Sequence, residues 1–135
     1  MRWILGLFTA IAFLTGCSNE AISEEERIAL KFVEEYQNNT DIEVRKKFVE
    51  EHVHHYAKKD LNAIAELPPV EVINYAKVVG VVEDEKKNKM VLIKGKDRFD
   101  QPAEEIFIFL DGKITWPITE VSGREIYEDL RKQFK

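Results

Sequence analysis

Leu67-Pro68-Pro69 divides the chain near its middle, and the hydrophobic period differs on its two sides. A Pro-Pro pair removes two backbone N–H donors and fixes two φ angles, so neither a helix interior nor a central strand passes through it. Before the pair, apolar residues recur at helical spacing; after it, the chain reads as extended runs broken by turn residues. Helices first and strands second describe the α+β class, and strands joined by short turns pair antiparallel. The expected architecture is an N-terminal helical hairpin packed on a four-stranded, mostly antiparallel sheet, with a short C-terminal helix.

Ser23-Glu24-Glu25-Glu26 is a capping box, in which the serine hydroxyl and the Glu26 carboxylate each take up a free backbone N–H. Ile28, Ala29, Phe32, Val33 and Tyr36 then share one face, and Asn38-Asn39 closes a helix over 24–37. Thr40-Asp41-Ile42-Glu43 opens a second helix that runs to Lys58, with Ile42, Val49, Val53 and Tyr56 on one side and Phe48 at its edge. Residues 60–66 add a short helical turn. The two apolar stripes need a partner, and only the second half of the chain can supply it.

That half begins with a Val-rich strand over 70–83, where Gly80 marks a bulge. Glu83 to Lys89 is a solvated turn, and 90–93 and 105–110 are further strands. Asp97, Arg98 and Asp100 form a polar turn before Gln101-Pro102. Asp111-Gly112 is a two-residue hairpin turn leading into a strand over 113–118, and Pro117 puts that strand at an edge or ends it. Ser122-Gly123-Arg124-Glu125 is a third capping box, ahead of a helix whose apolar side carries Ile126, Leu130 and Phe134. Pairing Leu110 with Lys113 sets Phe109 against Ile114 and Phe107 against Trp116, all four on one face, with Ile106, Ile108 and Leu110 on the other. Both faces are therefore apolar and both need a cover. The helix pair takes one. The C-terminal helix, a ligand or a partner takes the other, so Phe107, Phe109, Ile114 and Trp116 are either core or a ligand face.

The first sixteen residues carry an address rather than a fold. Arg2 is a basic start, and Trp3 to Gly16 form a non-polar run too short to cross a hydrocarbon layer of roughly 30 Å, which takes about 20 residues. A basic start, a short apolar core and a small residue at the cleavage point make a secretory signal. Cys17 is the only cysteine in the chain, so it has no partner for an intramolecular disulfide.

Leu14-Thr15-Gly16-Cys17 resembles the lipobox of bacterial lipoproteins, a likeness that covers the first 17 residues. The resemblance implies that a diacylglyceryl group is joined to the Cys17 sulfur, that a signal peptidase cuts after Gly16, and that the domain is held on the extracytoplasmic side of a bacterial membrane. Residues 1–16 are then signal, 17–22 a lipidated tether and 23–135 a single domain. A tether of that length reaches roughly 20 Å. Each buried CH₂ contributes about 0.8 kcal/mol, so two acyl chains anchor durably where one is marginal. Arg2 is the only charge lost on cleavage, so 20 basic residues against 25 acidic become 19 against 25, a net charge of −6. Such a surface argues against nucleic acid as a partner and against a second, electrostatic hold on anionic lipid.

The element order over 23–120 resembles the cystatin-like or nuclear-transport-factor-2-like α+β class. That resemblance implies a concave sheet with a pocket, used by some members for small molecules or catalysis and by others for protein contact. A helix after the last strand departs from the usual order of the class.

Glu50-Glu51-His52-Val53-His54-His55 contains every histidine. On a continuous helix Glu51, His54 and His55 share a face, a donor set suited to zinc or copper, although Lys58 falls among them and His-Glu-x-x-His is absent. A solvated helix face explains the same pattern. The chain has no Gly-x-Ser-x-Gly elbow, phosphate loop or dinucleotide fingerprint, and no spacing that sets two carboxylates across a cleft. No cofactor is therefore implied. The sequence supports a lipid-anchored binding or interaction module for an envelope protein or small apolar ligand. Weak metal binding through Glu51, His54 and His55, or a small pocket enzyme with a polar residue at the bottom of a cleft, are the alternatives.

Overall fold

The computed structural model describes residues 22–134. Residues 1–21, over which a signal, a lipobox at Cys17 and most of a tether are expected, lie outside the described residues. Helix α1 spans Glu24–Lys31, with the Ser23 hydroxyl accepting from the Glu26 N–H at 3.2 Å and the Glu26 carboxylate accepting from the Ser23 N–H at 3.2 Å. The helix then widens into a π-turn over Phe32–Gln37, where the Asn38 N–H reaches five residues back to the Val33 carbonyl. The wider turn buries Phe32, Val33, Tyr36 and Gln37 together. Segments of this kind recur at functional sites.

Helix α2, Ile42–His52, is capped by Asp41, whose carboxylate accepts from the Glu43 and Val44 N–H groups. It stops at His52 instead of running to Lys58. Val53 is extended and forms a parallel bridge with Ile114, and the His54 N–H donates to the Ile114 carbonyl at 2.7 Å. A contact with the sheet edge has displaced the next helical hydrogen bond. A new helix, α3, then spans His55–Ala65 and absorbs the turn expected at 60–66. The buried face of α2 consists of Arg45, Phe48 and Val49, while Ile42 and Tyr56 are exposed. Arg45 lies in this core because its guanidinium serves the end of α3: it donates to the carbonyls of Ala65 at 2.9 Å and Leu67 at 2.6 Å and lies over the Tyr36 ring. The Tyr36 hydroxyl donates to the Leu61 carbonyl at 2.6 Å, joining the first helix to α3.

The sheet is an antiparallel meander in the order β1-β2-β3-β4: β1 Asn74–Glu83, β2 Lys89–Lys96, β3 Pro102–Leu110 and β4 Lys113–Ile118. The β1 register shifts between Val78 and Gly80, where the glycine marked a bulge. Asp111 (φ 52) and Gly112 (φ 76) form the β3–β4 turn with both central residues left-handed, as a two-residue hairpin requires. Leu110 pairs with Lys113 and Phe109 with Ile114, but Phe107 then opposes Pro117 and not Trp116. One extra residue on β4 makes a bulge. Trp116 turns outward to 42% exposure and does not belong to the Phe107 face.

Phe107, Phe109 and Ile114 are at most 1% exposed, packed with Val91, Ile93, Phe32 and Phe48 beneath the helices. They are core, and they make no ligand face. The opposite face, with Leu92 and Ile106 at its centre, is covered by Tyr127 and Leu130 of helix α4, Arg124–Arg131, and by Phe134 just after it. Tyr127 takes the inward position expected of Ile126, which is 59% exposed. The N-cap of α4 is Gly123 and makes no side-chain cap, because the Ser122 hydroxyl is engaged with Thr119. The expected third capping box is therefore a turn closed on itself.

Candidate functional site

β4 is shorter than β3. Its last residue, Ile118, pairs with Ile106, so β3 from Pro102 to Glu105 runs on past it with β2 alone as its neighbour. Beyond that point a cleft of ≈ 580 Å³ opens. Three chain segments wall it: residues 70–73 ahead of β1, the β2–β3 turn, and the turn between β4 and α4.

Each wall is held by specific bonds. Asn38 clamps the first, its amide donating to the Ile73 carbonyl at 2.6 Å and its carbonyl accepting from the Ile73 N–H at 3.0 Å. Arg98 reaches across from the β2–β3 turn to the carbonyls of Pro69 at 3.2 Å and Val70 at 2.6 Å. The Asp97 carboxylate accepts from the Phe99 and Gln101 N–H groups and shapes the turn itself. Gly95 is where β2 passes closest to the 73–76 segment: a Cβ there would collide with Ile73 and with the Asn74 carbonyl. Glycine permits this approach.

Glu105 lies on the inner wall. Strand alternation puts it on the same face as Phe107 and Phe109, at the end of the core, and it is 1% exposed. Its Oε1 accepts from Gln37 Nε2 at 3.4 Å, while Oε2 has no hydrogen-bond partner among the described residues. Gln37 Oε1 is likewise buried and unpartnered. Burial raises the Glu105 carboxyl to about 8; the Gln37 hydrogen bond offsets part of this, and the charge of Glu71 adds to the rise. At neutral pH the group is largely protonated.

Its neighbour Glu104 behaves oppositely, because alternation turns it to the α4 face. Burial works against its ionisation, but hydrogen bonds from Arg131, Tyr127 and Lys94 prevail and hold it down at about 2. Arg131 is the principal partner, donating from Nε to Oε2 at 3.1 Å and from Nη2 to Oε1 at 3.3 Å. Burial and the same carboxylate raise the Tyr127 hydroxyl. This cluster fastens α4 to the sheet. Adjacent carboxyls on one strand thus carry different protonation, the pattern that separates an acid from a charged anchor.

The cleft rim is apolar and exposed. Val70, Phe99 and Val121 all line it and are 79%, 76% and 88% exposed. A polar floor under an apolar rim suits a small ligand with a polar head.

The histidines are arranged differently. His54 is the N-cap of α3, its Nδ1 accepting from the Tyr56 N–H at 3.2 Å, and it is buried, with Nε2 4.0 Å from Asp111. Glu51 belongs to α2 and His55 to α3, so the break at Val53 abolishes the shared helix face expected of Glu51, His54 and His55. Among the described residues, no group of three His, Cys, Asp or Glu side chains is placed to hold a metal ion. His52 packs on Phe48, and burial, with the Lys31 charge, lowers its pKa. No helix among the described residues is long and apolar enough to cross a membrane. No family model, curated protein or solved structure matches the chain.

Proposed function

We propose that the chain is a bacterial lipoprotein anchored through acyl chains on Cys17, and that its extracytoplasmic domain is a non-enzymatic module that binds a small ligand in the cleft beside β3. The single observation behind the binding role is Glu105: a carboxyl 1% exposed, with one oxygen unpartnered among the described residues, on the wall of a ≈ 580 Å³ cleft. Buried polar atoms are almost always paired, so an unpartnered carboxyl oxygen on a cleft wall calls for a donor, from a ligand or from water. An apolar rim supplies contact area for the rest of the ligand. A tether that ends near the start of α1 keeps this cleft close to the envelope, where partner proteins are also within reach.

A second reading follows from the same residue. A carboxyl that burial holds near 8 is a competent general acid, so a small pocket enzyme with Glu105 as its proton donor is the runner-up.

Two measurements test the proposal. Palmitate carrying an alkyne should label the full chain in a bacterial host and leave Cys17→Ser unlabelled; a labelled variant would defeat the anchor. Amide resonances of the full chain, screened against a fragment library, should shift at residues 71–73, 94–99 and 103–105. Shifts confined to other surfaces would defeat the binding site.

A further inference from the structure

We infer that the cleft recognises a small organic cation, an ammonium or amidinium head on an apolar body, with Glu105 as its counterion and Gln37 as a second acceptor. This rests on the binding role proposed for the cleft and names the chemistry of its ligand.

Gln37 Oε1 and Glu105 Oε2 are both buried and unpartnered among the described residues, and once the carboxyl is ionised both are acceptors only. What the site needs is donors, more than one of them. An ammonium or amidinium brings several N–H groups and no acceptor; a hydroxyl brings one donor, and a carboxylate brings none.

Charge points the same way. Glu71, Asp97 and Glu120 line the cleft along with Glu104 and Glu105. Some of these charges are paired: Glu104 with Lys94 at 3.3 Å and Arg131 at 3.1 Å, and Glu120 with Arg124 at 3.2 Å, while Arg98 is bound to main-chain carbonyls of the 69–70 segment. Glu71 and Asp97 are left on the lining without an ion-pair partner among the described residues. An anionic ligand would meet net repulsion, whereas a cation would be drawn in. Val70, Phe99 and Val121 at the mouth then take the apolar body, and the volume lies within the range of small-molecule sites, roughly 300–1,000 Å³.

The proton on Glu105 is the cation's competitor. Below about pH 8 the free carboxyl is mostly protonated. A cation that pairs with the carboxylate must therefore displace a proton, and affinity rises with pH until the carboxyl is ionised. Gln37 on the π-turn bonds Glu105, and the charged and titratable groups lining the cleft with it are Glu71 ahead of β1, Lys94 on β2, Asp97 and Arg98 in the β2–β3 turn, Glu104 on β3, Glu120 after β4 and Tyr127 on α4. Glu104, next in sequence, is held ionised by Arg131, Tyr127 and Lys94 throughout this range.

Benzamidine, benzamide and benzoate form a cation, neutral and anion series of one shape, and benzamidine does not titrate near neutrality. The full chain is titrated with each at pH 6, 7, 8 and 9, following the amides of residues 71–73, 94–99 and 103–105. Expected are benzamidine binding at pH 8 at least tenfold tighter than benzamide, no saturation with benzoate, and a benzamidine affinity that rises about tenfold from pH 6 to 7 and levels above 8. In Glu105→Gln the pH dependence should vanish and benzamidine should fall to the level of benzamide. If benzamide or benzoate binds there as well as benzamidine, or if Glu105→Gln leaves the preference intact, the cation is the wrong ligand although the cleft still binds. If none of the three moves those amides, the cleft is no site, and both readings fall.

Discussion

Replacing Glu105 by glutamine should make the domain more stable at alkaline pH, although it adds no new contact. Burial raises the carboxyl from an ordinary 4.5 to about 8, so between those values the native state holds a proton that the unfolded chain releases. Stability contributed by the protonated group is complete below about 4.5, declines as pH rises through the window, and is gone above about 8. At about 1.4 kcal/mol per pH unit the interval corresponds to about 5 kcal/mol, and water entering the cleft around an ionised Glu105 reduces this, to about 2–5 kcal/mol. That is a large share of a total of about 5–15 kcal/mol for a domain of this kind. Glutamine has the same shape, stays neutral and still reaches Gln37, so it carries none of this dependence. Urea unfolding at pH 5 to 9 measures it: with a slope of about 1–3 kcal/mol/M, the wild-type midpoint should drop below that of Glu105→Gln by about 1–2 M at pH 9 while the two agree near pH 5. Titration elsewhere, including that of His52, affects both proteins alike. Midpoints that stay parallel across the range would refute a buried, protonated Glu105.

Three further substitutions test the frame around the cleft. Asn38→Ala removes both bonds to Ile73 and should cost about 1–3 kcal/mol in thermal unfolding, with faster amide exchange at 70–73; unchanged exchange would mean that the clamp does not hold that wall. Arg45→Ala leaves the Ala65 and Leu67 carbonyls at the end of α3 without their donor and opens a gap over Tyr36, so a loss of about 3 kcal/mol or more is expected, and a near-neutral result would place those carbonyls in water. Gly95→Ala should destabilise by about 1–3 kcal/mol and perturb amides at 73–76 first, since the added methyl meets Ile73 and the Asn74 carbonyl; an undisturbed spectrum would show that the approach of β2 is looser than described.

What the sequence disclosed and what it hid follow one physical division. Features fixed by a residue's own backbone were legible: the Ser23 box, the bulge at Gly80, the Asp111-Gly112 turn, and Pro117 near the end of an edge strand. The need to cover both sheet faces was legible too, because Phe107 and Ile106 alternate on one strand. Features that depend on distant partners were not. Nothing local ends α2 at His52; a carbonyl of β4 captures the next N–H instead, and with that capture the histidine set disperses. The bulge that turns Trp116 outward arises where β4 must accommodate a proline with no N–H opposite Phe107.

Glu105 is the instructive omission. It opened an expected strand, beside a second glutamate, and acids at strand ends are ordinarily solvated. Yet the parity that put Phe107 and Phe109 in the core reaches Glu105 two residues earlier, and the strand in fact begins three residues before it, at Pro102. Extending the alternation backwards would have found the buried carboxyl. Its partner Gln37 could not have been found this way, because the π-turn that turns it inward has no signature in the residues that form it.

The most direct test of the central claim is the protonation of that one side chain. In the full chain carrying ¹³C-labelled glutamate, the carboxyl resonance of Glu105, assigned by its disappearance in Glu105→Gln, should titrate with a midpoint near 8 and move to lower pH on addition of benzamidine. A midpoint near 4.5, unmoved by the cation, would place Glu105 in water and leave the cleft without a buried counterion.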